Sequence, residues 1–399
     1  MKNQKIAIVY DWMDSWGGVE RMLLTLHEMY PDADWYTSYV DPKKARWVNE
    51  LQIPNNKKQT NFKHQTPKIQ TSFIQKLPSF IKSNRILSLP FYPYAFESFD
   101  FRSYDTVLSV TSSFAKSIIT HPHTKHVCIL LTPTRWLWSR TESYKLRVTS
   151  YKLRVASCEC MKSFINWYSN KLKRWDYVAA QRPDKIISIS QTVADRCKKQ
   201  YGRESTVVYP PFDEEYWEGI KLQIPNNKKQ TNFKFQKSNE KYFLVVSRLE
   251  PYKKVDLVIE AFASMPDKRL IIIGTGTQAS HLQSMATSNI TFIQNASDTE
   301  LAQYYSHAQA LIMAQEEDFG YVSIEAQYFG CPVITYQKGG AVETIIDGIT
   351  GTFVTKQTHE AIRYAVAHFK RDEYNLKDRK KTLSQFSKNV FINTLHNIL

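Results

Sequence analysis

The fold is decided by residues 241–276, which read KYFLVVSRLEPYKKVDLVIEAFASMPDKRLIIIGTG. An apolar run over 242–247 predicts a β-strand, and apolar residues at helical spacing predict a helix over 255–265. A second apolar run over 269–273 predicts another strand. A strand, a crossover helix and a strand in this order indicate a βαβ unit, in which the two strands are parallel.

The same alternation of strands and helices runs through the rest of the chain. Further strands are predicted at 5–10, 34–40, 106–110, 126–131, 185–190, 290–293, 310–314 and 332–336. Further helices are predicted at 19–30, 299–307, 320–330 and 359–369. We therefore expect an α/β protein with two Rossmann-like, doubly wound parallel-sheet domains that face each other across a cleft. Ligands bind such sheets beyond the carboxyl ends of the strands.

The domain boundaries follow from a turn-rich join. The sequence VVYPPFDEEYW places a boundary between Pro210 and Pro211. The predicted domains are an N-terminal Rossmann-like domain over 1–210 and a C-terminal Rossmann-like domain over 211–382. The segment 383–399 has an apolar stripe at helical spacing. We expect it to form a helix that packs back on the first domain.

Composition narrows the class of protein. A chain of 399 residues can form two cores, and no apolar run is long enough to span a bilayer. The N-terminus enters a strand pattern directly and lacks the features of a signal peptide. The five cysteines are too scattered for a disulfide framework, which favours a reducing, cytoplasmic compartment.

The net charge of +15 comes mainly from internal repeats. LQIPNNKKQTNFK occurs at 51–63 and 222–234, and SYKLRV occurs at 143–148 and 150–155. The repeats supply ten of the fifteen net positive charges, so the excess is weak evidence for nucleic-acid binding. Our hypothesis is that they are insertions tolerated in surface loops.

The stretch EEDFGYVSIEAQYFG, residues 316–330, is the strongest candidate for a ligand site. Gly320 precedes a predicted helix whose first backbone N–H groups belong to Tyr321 and Val322, and a helix start favours anions. Glu317 lies before that helix start and Glu325 two turns into it, where their carboxylates could accept hydroxyl hydrogen bonds. The arrangement suits a nucleotide sugar; a solvated amphipathic helix is the alternative.

Three further glycine or cation motifs follow predicted strands. DSWGGVERM carries Gly17 and Gly18 at a helix start, and IIIGTG places Gly274 after a strand. SRLEPYKK offers Arg248 as a forked donor to phosphate and Lys253 as a mobile charge. Ordinary turns and a solvated basic loop would give the same residues. IIIGTG is not a dinucleotide-binding fingerprint, because its third glycine is missing.

In their order along the chain these pieces resemble a known family. They are WGGVERM, AFESFDFRSYDTVLSVTSSFAK, TPTRWLW, ISQTVADRCKKQYGRESTVVYPPFD, SRLEPYKKVDLVIEAF, IIIGTG, EEDFGYVSIEAQYFGCPVI and KGGAVETI. The chain resembles the retaining GT-B glycosyltransferases of family 4, most closely the GDP-mannose-dependent α-mannosyltransferases of bacterial surface-polysaccharide assembly. The resemblance implies transfer of mannose from GDP-mannose to a hydroxyl of a lipid-linked glycan, with retention of configuration.

The resemblance also assigns roles to domains and residues. It implies that the domain over 1–210 is the acceptor side and that the domain over 211–382 binds the nucleotide sugar. It implies a catalytic group of Arg248, Lys253 and Glu317. It implies donor-binding positions at Gly17, Gly18, Gly274, Gly320, Tyr321, Val322 and Glu325. On the acceptor side, TPTRWLW offers Arg135 and Trp136. No metal ion and no cofactor are expected, because the two cations would balance the charge that develops on the leaving diphosphate.

One departure from the family concerns catalysis. Relatives often carry a histidine where this chain has Leu131. No histidine role can be assigned to Leu131, and His121, His123 and His126 are better explained as strand residues or as histidines satisfied by neighbours.

Four alternative functions stay open. The chain could use a UDP-hexose donor, act as a sugar-nucleotide epimerase, bind nucleic acid or anionic membranes without turnover, or be an inactive copy. Cations and aromatic residues mix over 73–96, which suits a membrane interface, so peripheral contact with the inner face of the membrane is a further expectation. An irregular helix pair covering the first domain explains the same segment equally well.

Overall fold

The computed structural model describes residues 4–52, 67–138, 159–223, 241–374 and 379–399, with no side chains described for 159–166 and 379–380. The chain divides into two compact units. Unit 1 contains Met1–Pro210 and Ile392–Leu399, and unit 2 contains Pro211–Phe391. Apart from Leu51, Gln52, Leu222 and Gln223, the four repeat copies lie outside the described residues. The insertion hypothesis therefore stays a prediction.

Unit 1 is built on a parallel sheet. Its described strands are β1 (Ile6–Tyr10), β2 (Asp34–Thr37), β3 (Ile69–Thr71), β4 (Thr106–Thr111), β5 (Lys125–Leu130), β6 (Lys185–Ser188) and β7 (Thr206–Val207). They lie in the order β3-β2-β1-β4-β5-β6-β7, and each recorded pairing is parallel. Strand β4 is buried along its whole length, as expected for a central strand covered on both faces.

Helices of unit 1 connect these strands. They are α1 (Gly18–Met29), α2 (Ser79–Lys82), α3 (Tyr92–Glu97), α4 (Arg135–Trp138), α5 (Glu159–Ala179) and α6 (Gln191–Tyr201). The Ser190 side chain accepts a hydrogen bond from Val193 N and caps α6, and Gly202 ends that helix in the left-handed conformation. The segment 73–96 forms two 3₁₀ turns, α2 and α3, which is close to the irregular helix pair considered above.

Unit 2 repeats the architecture. Its described strands are β8 (Tyr242–Val246), β9 (Arg269–Ile273), β10 (Ile290–Ile293), β11 (Leu311–Met313), β12 (Val333–Tyr336) and β13 (Gly351–Val354). They lie in the order β10-β9-β8-β11-β12-β13, again with parallel pairings. The order reverses between β8 and β11, which makes this the switch point of the sheet.

Helices of unit 2 fill the crossovers. They are α7 (Glu214–Leu222), α8 (Val255–Ala263), α9 (Ala279–Ser284), α10 (Asp298–His307), α11 (Tyr321–Tyr328), α12 (Ala341–Thr344), α13 (His359–His368) and α14 (Arg379–Leu383). The last helix, α15 (Lys388–Ile398), begins in unit 2, and its residues from Ile392 onward belong to unit 1. Val258, Ile259 and Phe262 of α8 are buried against apolar residues of the strands. This packing joins the predicted βαβ unit into one core.

The predicted fold class is confirmed, since both units are Rossmann-like parallel sheets with crossover helices. The predicted strands and helices are present, with ends that differ by a few residues. Strands β3, β7 and β13 were not predicted, nor were several helices, among them α5, α6 and α7.

The C-terminal helix begins at Lys388, later than the predicted residue 383. Phe212 N donates to Phe386 O at 2.7 Å, and Lys388 N donates to Phe212 O at 3.1 Å. This pairing holds the backbone around Ser387 extended, so the helix cannot start earlier.

Candidate functional site

Two loops meet at the switch point of unit 2. One follows β8 and carries Arg248 and Lys253, and the other follows β11 and carries Glu317. Because β8 and β11 are parallel neighbours, both loops leave the same carboxyl edge of the sheet. The topology therefore brings Lys253 close to Glu317.

Lys253 and Glu317 form the polar centre of this edge. The Lys253 ammonium donates a hydrogen bond to Glu317 Oε1, and the two side chains are only 13% and 17% exposed. Gln315 is buried and donates from Nε2 to the same carboxylate oxygen at 2.7 Å. Sequence reasoning missed Gln315, because an isolated glutamine two residues before a glutamate is most often a surface residue.

The turn before α8 aims the Lys253 side chain. Residues Pro251–Lys253 form a 3₁₀ turn, and Lys253 N donates to Glu250 O at 2.8 Å. Lys254 then adopts the left-handed conformation, with φ 53°, before α8 begins. A left-handed lysine is unfavourable by about 1–2 kcal/mol, so the rest of the loop must hold this turn in place.

Arg248 lies in the same loop and is exposed. Its backbone carbonyl accepts hydrogen bonds from Glu250 N at 2.9 Å and from Ser247 Oγ at 3.1 Å. These bonds fix the backbone at the end of β8. The predicted contact of its guanidinium with phosphate stays a prediction.

The start of α11 follows directly after Glu317. Gly320 is the residue before the helix and has φ 95°, a conformation that favours glycine. The Phe319 ring is buried and packs edge-on against Tyr321 and Phe386. These contacts hold the start of α11 in place. The first N–H groups of α11, from Tyr321 and Val322, therefore belong to the same edge of the sheet as Glu317.

Glu325 lies on the buried side of α11. It is almost fully buried, and the Tyr305 hydroxyl donates to its Oε2 at 3.1 Å. This bond orients the carboxylate from within unit 2. A buried carboxylate needs such partners to remain charged.

A pair of glycines supports the Glu317 backbone. Gly340 N donates to Glu317 O at 2.8 Å, and Gly339 pairs with Glu317 in a parallel bridge. A Cβ atom on Gly339 would lie 2.3 Å from Glu317 O, and one on Gly340 would lie 2.3 Å from Asp318 O. The KGGAVETI motif thus lets two backbones approach closely behind Glu317.

The glycines after β9 make similar contacts with the β8 loop. A Cβ atom on Gly274 would lie 1.9 Å from Ser247 O, and one on Gly276 would lie 2.3 Å from Leu249 O. Gly274 also has φ 145°. Their close approach is to the chain's own backbone, so they shape the loop that carries Arg248; a donor contact of Gly274 stays a prediction.

In unit 1, Gly17 and Gly18 lie where they were predicted, at the start of α1. Buried Glu20 lies in the first turn and accepts a hydrogen bond from Tyr10 OH at 3.0 Å. Burial and the nearby Glu20 carboxylate raise the pKa of Tyr10 well above its usual value. A Cβ atom on Gly17 would lie 3.3 Å from Glu20 Oε2, so a larger residue would press on this carboxylate.

Asp11 is a residue at the unit 1 switch point that sequence reasoning missed. Strand order reverses between β1 and β4, and Asp11 directly follows β1. Its fully buried carboxylate accepts hydrogen bonds from Thr111 Oγ1 at 2.8 Å, Phe114 N at 2.8 Å and Ala115 N at 2.7 Å. Asp11 thereby ties the loop after β4 to the end of β1.

The last four residues of the TPTRWLW motif form α4, and Arg135 and Trp136 are half-buried. Trp136 packs against Phe114, with ring centroids 6.2 Å apart. Trp138 donates from Nε1 to Asp176 Oδ2 at 2.7 Å. The aromatic residues of the motif are thus partly structural, and acceptor roles for Arg135 and Trp136 stay predictions.

Comparisons with known proteins find similarity to glycosyltransferases. The family model of glycosyl transferases group 1 matches residues 226–390. This part of the chain has the group 1 glycosyl transferase sequence pattern. D-inositol 3-phosphate glycosyltransferase from Mycobacterium tuberculosis is 33% identical over 141 residues. That match covers 32% of this chain and 29% of the relative, so the chain matches under a third of that protein's length.

Solved glycosyltransferase structures share the fold over the whole chain. Anabaena HepE, in complex with UDP and glucose, has a TM-score of 0.66 at 17% identity and covers 99% of both chains. Sucrose-phosphate synthase from Thermosynechococcus elongatus has a TM-score of 0.65 at 15% identity, covering 99% of this chain and 98% of its own. WaaG, involved in lipopolysaccharide biosynthesis, has a TM-score of 0.62 at 15% identity, covering 98% and 99%.

Leu131, to which no histidine role can be assigned from the sequence, is a core residue. Leu131 is buried and continues β5, with its N–H donating to Thr111 O at 2.8 Å. His126 is fully buried and its Nε2 hydrogen-bonds Ser109 Oγ at 2.8 Å. Burial lowers the pKa of His126 to about 3, so the ring is neutral. His126 is thus a core histidine whose Nε2 is hydrogen-bonded, whereas its Nδ1 is buried without a hydrogen-bond partner among the described residues.

The described residues contain neither a metal-ligand cluster nor a membrane-spanning helix. No group of three or more His, Cys, Asp or Glu side chains within those ranges is arranged to hold a metal ion. Among the described helices, none combines the length and the apolar character needed to cross a bilayer.

Proposed function

We propose that this protein is a glycosyltransferase whose nucleotide-sugar donor binds at the carboxyl edge of the unit 2 sheet. The observation that carries the proposal is the Lys253–Glu317 pair at the switch point between β8 and β11. Ligands of doubly wound sheets bind at this place. The group 1 glycosyl transferase match over 226–390 covers both residues and supports the same function.

The donor diphosphate would interact with the cations and with the start of α11. Arg248 is exposed and can turn its guanidinium toward a phosphate, and Lys253 supplies a second charge. The N–H groups of Tyr321 and Val322 add the partial positive charge of a helix start. As the diphosphate leaves, its charge would grow, and these two cations would stabilise that charge in place of a metal ion or cofactor.

The two glutamates would bind the sugar and the nucleoside. Glu317 is held by Lys253 and Gln315, so its carboxylate has a defined orientation from which to contact the transferred sugar. Glu325, oriented by Tyr305, would accept hydrogen bonds from the ribose hydroxyls.

The reaction would retain the configuration of the anomeric carbon. The bond from this carbon to the diphosphate oxygen breaks, and a bond to the acceptor hydroxyl oxygen forms on the same face. The acceptor proton passes to the leaving diphosphate. This route, which the family 4 resemblance favours, needs no carboxylate nucleophile of the kind that a double displacement requires.

For the donor we propose GDP-mannose, and for the acceptor a hydroxyl of a lipid-linked glycan contacted by Arg135 and Trp136. The resemblance of the motifs to α-mannosyltransferases supports this donor. A UDP-hexose is the second candidate, because HepE shares the fold and its structure contains UDP and glucose. The same phosphate-binding residues would serve either donor.

A donor panel tests the proposal. Purified protein is incubated with GDP-mannose, UDP-glucose, UDP-galactose and UDP-N-acetylglucosamine, and nucleoside diphosphate release and binding heat are measured. We expect GDP-mannose to be bound and slowly hydrolysed, and Arg248→Ala to reduce the rate about a hundredfold. The matched variant Lys268→Ala removes an exposed cation just before β9, at the opposite edge, and should keep full activity. Absence of binding and hydrolysis with every donor would overturn the proposal.

A further inference from the structure

The loops that follow β8 and β9 are joined to each other beyond the ends of the two strands. Ser247 N donates to Ile273 O at 3.0 Å, and Leu249 N donates to Thr275 O at 2.8 Å. Gln278 N then donates to Leu249 O at 2.9 Å. Leu249 is also buried, so the backbone of the β8 loop is fixed up to this residue. The turn that carries the ammonium group of the candidate site lies beyond this pairing and needs another support.

Glu250 supplies that support through its side chain. Its Oε2 accepts a hydrogen bond from Thr277 Oγ1 at 2.8 Å, and its Oε1 accepts one from Thr277 N at 3.2 Å. Both carboxylate oxygens are therefore bound by one residue of the β9 loop, which fixes the orientation of the carboxylate as well as its position. Hydrogen bonds to a charged group are stronger than those between neutral groups. We call this arrangement the Glu250–Thr277 contact.

The backbone of Glu250 connects this contact to both cations of the candidate site. Glu250 N donates to Arg248 O at 2.9 Å, and Lys253 N donates to Glu250 O at 2.8 Å. Lys254, the next residue, has the left-handed conformation that is unfavourable for lysine. A turn that contains such a residue persists only when its surroundings hold it in place. The Glu250–Thr277 contact provides a side-chain link between this turn and the β9 loop.

We propose that Glu250 and Thr277 are positioning residues for the cations that bind the donor diphosphate. By holding the turn to the β9 loop, their contact places Arg248 and Lys253 before the donor arrives. A loop that is ordered in advance need not become ordered on binding, and such ordering weakens affinity. The inference rests on the proposed donor site, and neither Glu250 nor Thr277 needs to touch the donor.

Loss of the contact should raise the KM for the donor and leave kcat unchanged. A loop that must become ordered on binding weakens the bound donor and the transition state to the same extent, which changes KM alone. Loss of a cation such as Lys253 lowers kcat instead, because the charge on the leaving diphosphate grows in the transition state. The two parameters therefore separate a positioning residue from a residue that acts on the diphosphate.

Thr277→Val tests the inference, because it replaces the hydroxyl by a methyl group of similar size. Steady-state hydrolysis of GDP-mannose is measured, with UDP-glucose in parallel. We expect KM to rise about fivefold and kcat to stay within about twofold of wild type. Thr277→Ser keeps the hydroxyl and should restore the wild-type KM. In a Glu250→Ala background, Thr277→Val should have no further effect, because the hydroxyl has lost its acceptor.

Asp100→Asn is the matched control. The Asp100 carboxylate accepts hydrogen bonds from the N and Nε atoms of Arg102, each at 3.0 Å, and both side chains are exposed. This contact likewise joins a carboxylate to the backbone and side chain of one residue, but it lies before β4 in unit 1, at the amino edge of that sheet. Both KM and kcat of Asp100→Asn should equal the wild-type values.

Hydrogen exchange reports on the turn independently of donor turnover. Because Lys253 N donates to Glu250 O, exchange in a peptide covering residues 248–254 measures opening of the turn. Exchange of the Lys253 amide should be about fivefold faster in Thr277→Val, and unchanged in Thr277→Ser and in Asp100→Asn.

Three outcomes would overturn the inference. The first is a wild-type KM in Thr277→Val. The second is a loss in Thr277→Ser equal to that in Thr277→Val. The third is a rise in KM on Thr277→Val that persists in the Glu250→Ala background. In all three cases the wild-type protein turns over a donor; wild-type protein that hydrolyses neither donor would instead overturn the proposed function, and this inference with it.

Discussion

Lys253 and Glu317 are separated by 64 positions in the sequence, and the ammonium of one donates a hydrogen bond to the carboxylate of the other. The pair exists because β8 and β11 are adjacent parallel strands whose loops leave the same edge of the sheet. Both side chains are mostly buried, which strengthens their interaction relative to a surface pair. The pair is the basis of the first two predictions.

Replacing Lys253 by methionine removes the charge and retains the length of the side chain. Donor turnover should fall about a hundredfold or more, because the leaving diphosphate loses one fixed cation. Initial rates of donor hydrolysis measure the effect. Lys254→Asn is the matched control, since asparagine tolerates the left-handed conformation and the same net charge is lost. If Lys254→Asn slowed donor hydrolysis as much as the Lys253 variant, the loss would not depend on the position of Lys253.

Gln315→Met removes the amide that donates to Glu317 and keeps a side chain of similar size. A hydrogen bond to a charged group contributes about 1.5–3 kcal/mol, so kcat/KM for the donor should fall about tenfold or more. Gln315→Asn moves the amide out of reach and should give a similar loss. Steady-state kinetics at several donor concentrations separate kcat from KM. Unchanged kinetics in both variants would mean that Lys253 alone orients the carboxylate.

The sequence predicts the strand-and-helix alternation well because buried parallel strands such as 242–247 are continuous apolar runs bounded by turn residues. It misses β7, which has two residues and no periodicity to detect. It also misses α5, where large apolar residues such as Trp167, Tyr177 and Val178 are exposed and blur the division between an apolar and a polar side. The order of strands, and with it the meeting of Lys253 and Glu317, depends on contacts between distant parts of the chain.

The same limit applies to individual site residues, because contacts between distant parts of the chain cannot be predicted from the sequence. Glu317 and Lys253 are recognisable because they lie in motifs that a family shares. Gln315 and Asp11 lie at strand ends without a motif, and only their buried hydrogen bonds reveal them. The close approach of Gly274 to the backbone of Ser247 likewise cannot be predicted before the pairing of β8 with β9 is known.

The buried Lys116–Asp176 pair predicts a large loss of stability when one partner is removed. Both side chains are almost inaccessible. Asp176→Ala would leave a buried, uncompensated ammonium and should lower the free energy of unfolding by about 3–5 kcal/mol. Urea denaturation followed by tryptophan fluorescence measures the change.

A surface pair and a double variant control this experiment. Lys198 and Glu204 are 2.7 Å apart, close to the 2.6 Å of the buried pair, but both are exposed, so Glu204→Ala should cause no measurable change. Lys116→Met/Asp176→Leu removes both charges and should recover much of the stability. A double variant as unstable as Asp176→Ala would contradict the electrostatic explanation.

His126 predicts that unit 1 loses stability in mild acid. Burial lowers its pKa from 6.5 to about 3 in the folded chain. As the pH falls below 6.5, the His126 ring therefore takes up a proton in the unfolded chain but not in the folded chain. Between pH 6.5 and about pH 3 the free energy of unfolding decreases by up to about 1.4 kcal/mol per pH unit. His27 contributes in the same direction, because burial also lowers its pKa.

The measurement is urea denaturation at several values between about pH 7 and pH 5. His126→Gln has no titrating ring and an amide that can replace the bond to Ser109. Its stability should depend less steeply on pH than that of the wild type. Parallel curves for the two proteins would mean that other groups determine the acid sensitivity.

Two glycine substitutions that should change the free energy of unfolding in opposite directions test the loop packing behind the candidate site. A Cβ atom on Gly274 would lie 1.9 Å from Ser247 O, and its φ of 145° disfavours any side chain. Gly274→Ala should therefore lower the free energy of unfolding by at least about 2 kcal/mol, and it should also disturb the loop that carries Arg248. Gly219 lies inside α7, where a Cβ atom would have no neighbour within 4 Å, so Gly219→Ala should raise stability by about 0.5–1 kcal/mol. Thermal unfolding measures the change in stability of each variant. If both variants were destabilised, the loss in Gly274→Ala would reflect a general sensitivity to alanine rather than the contact with Ser247.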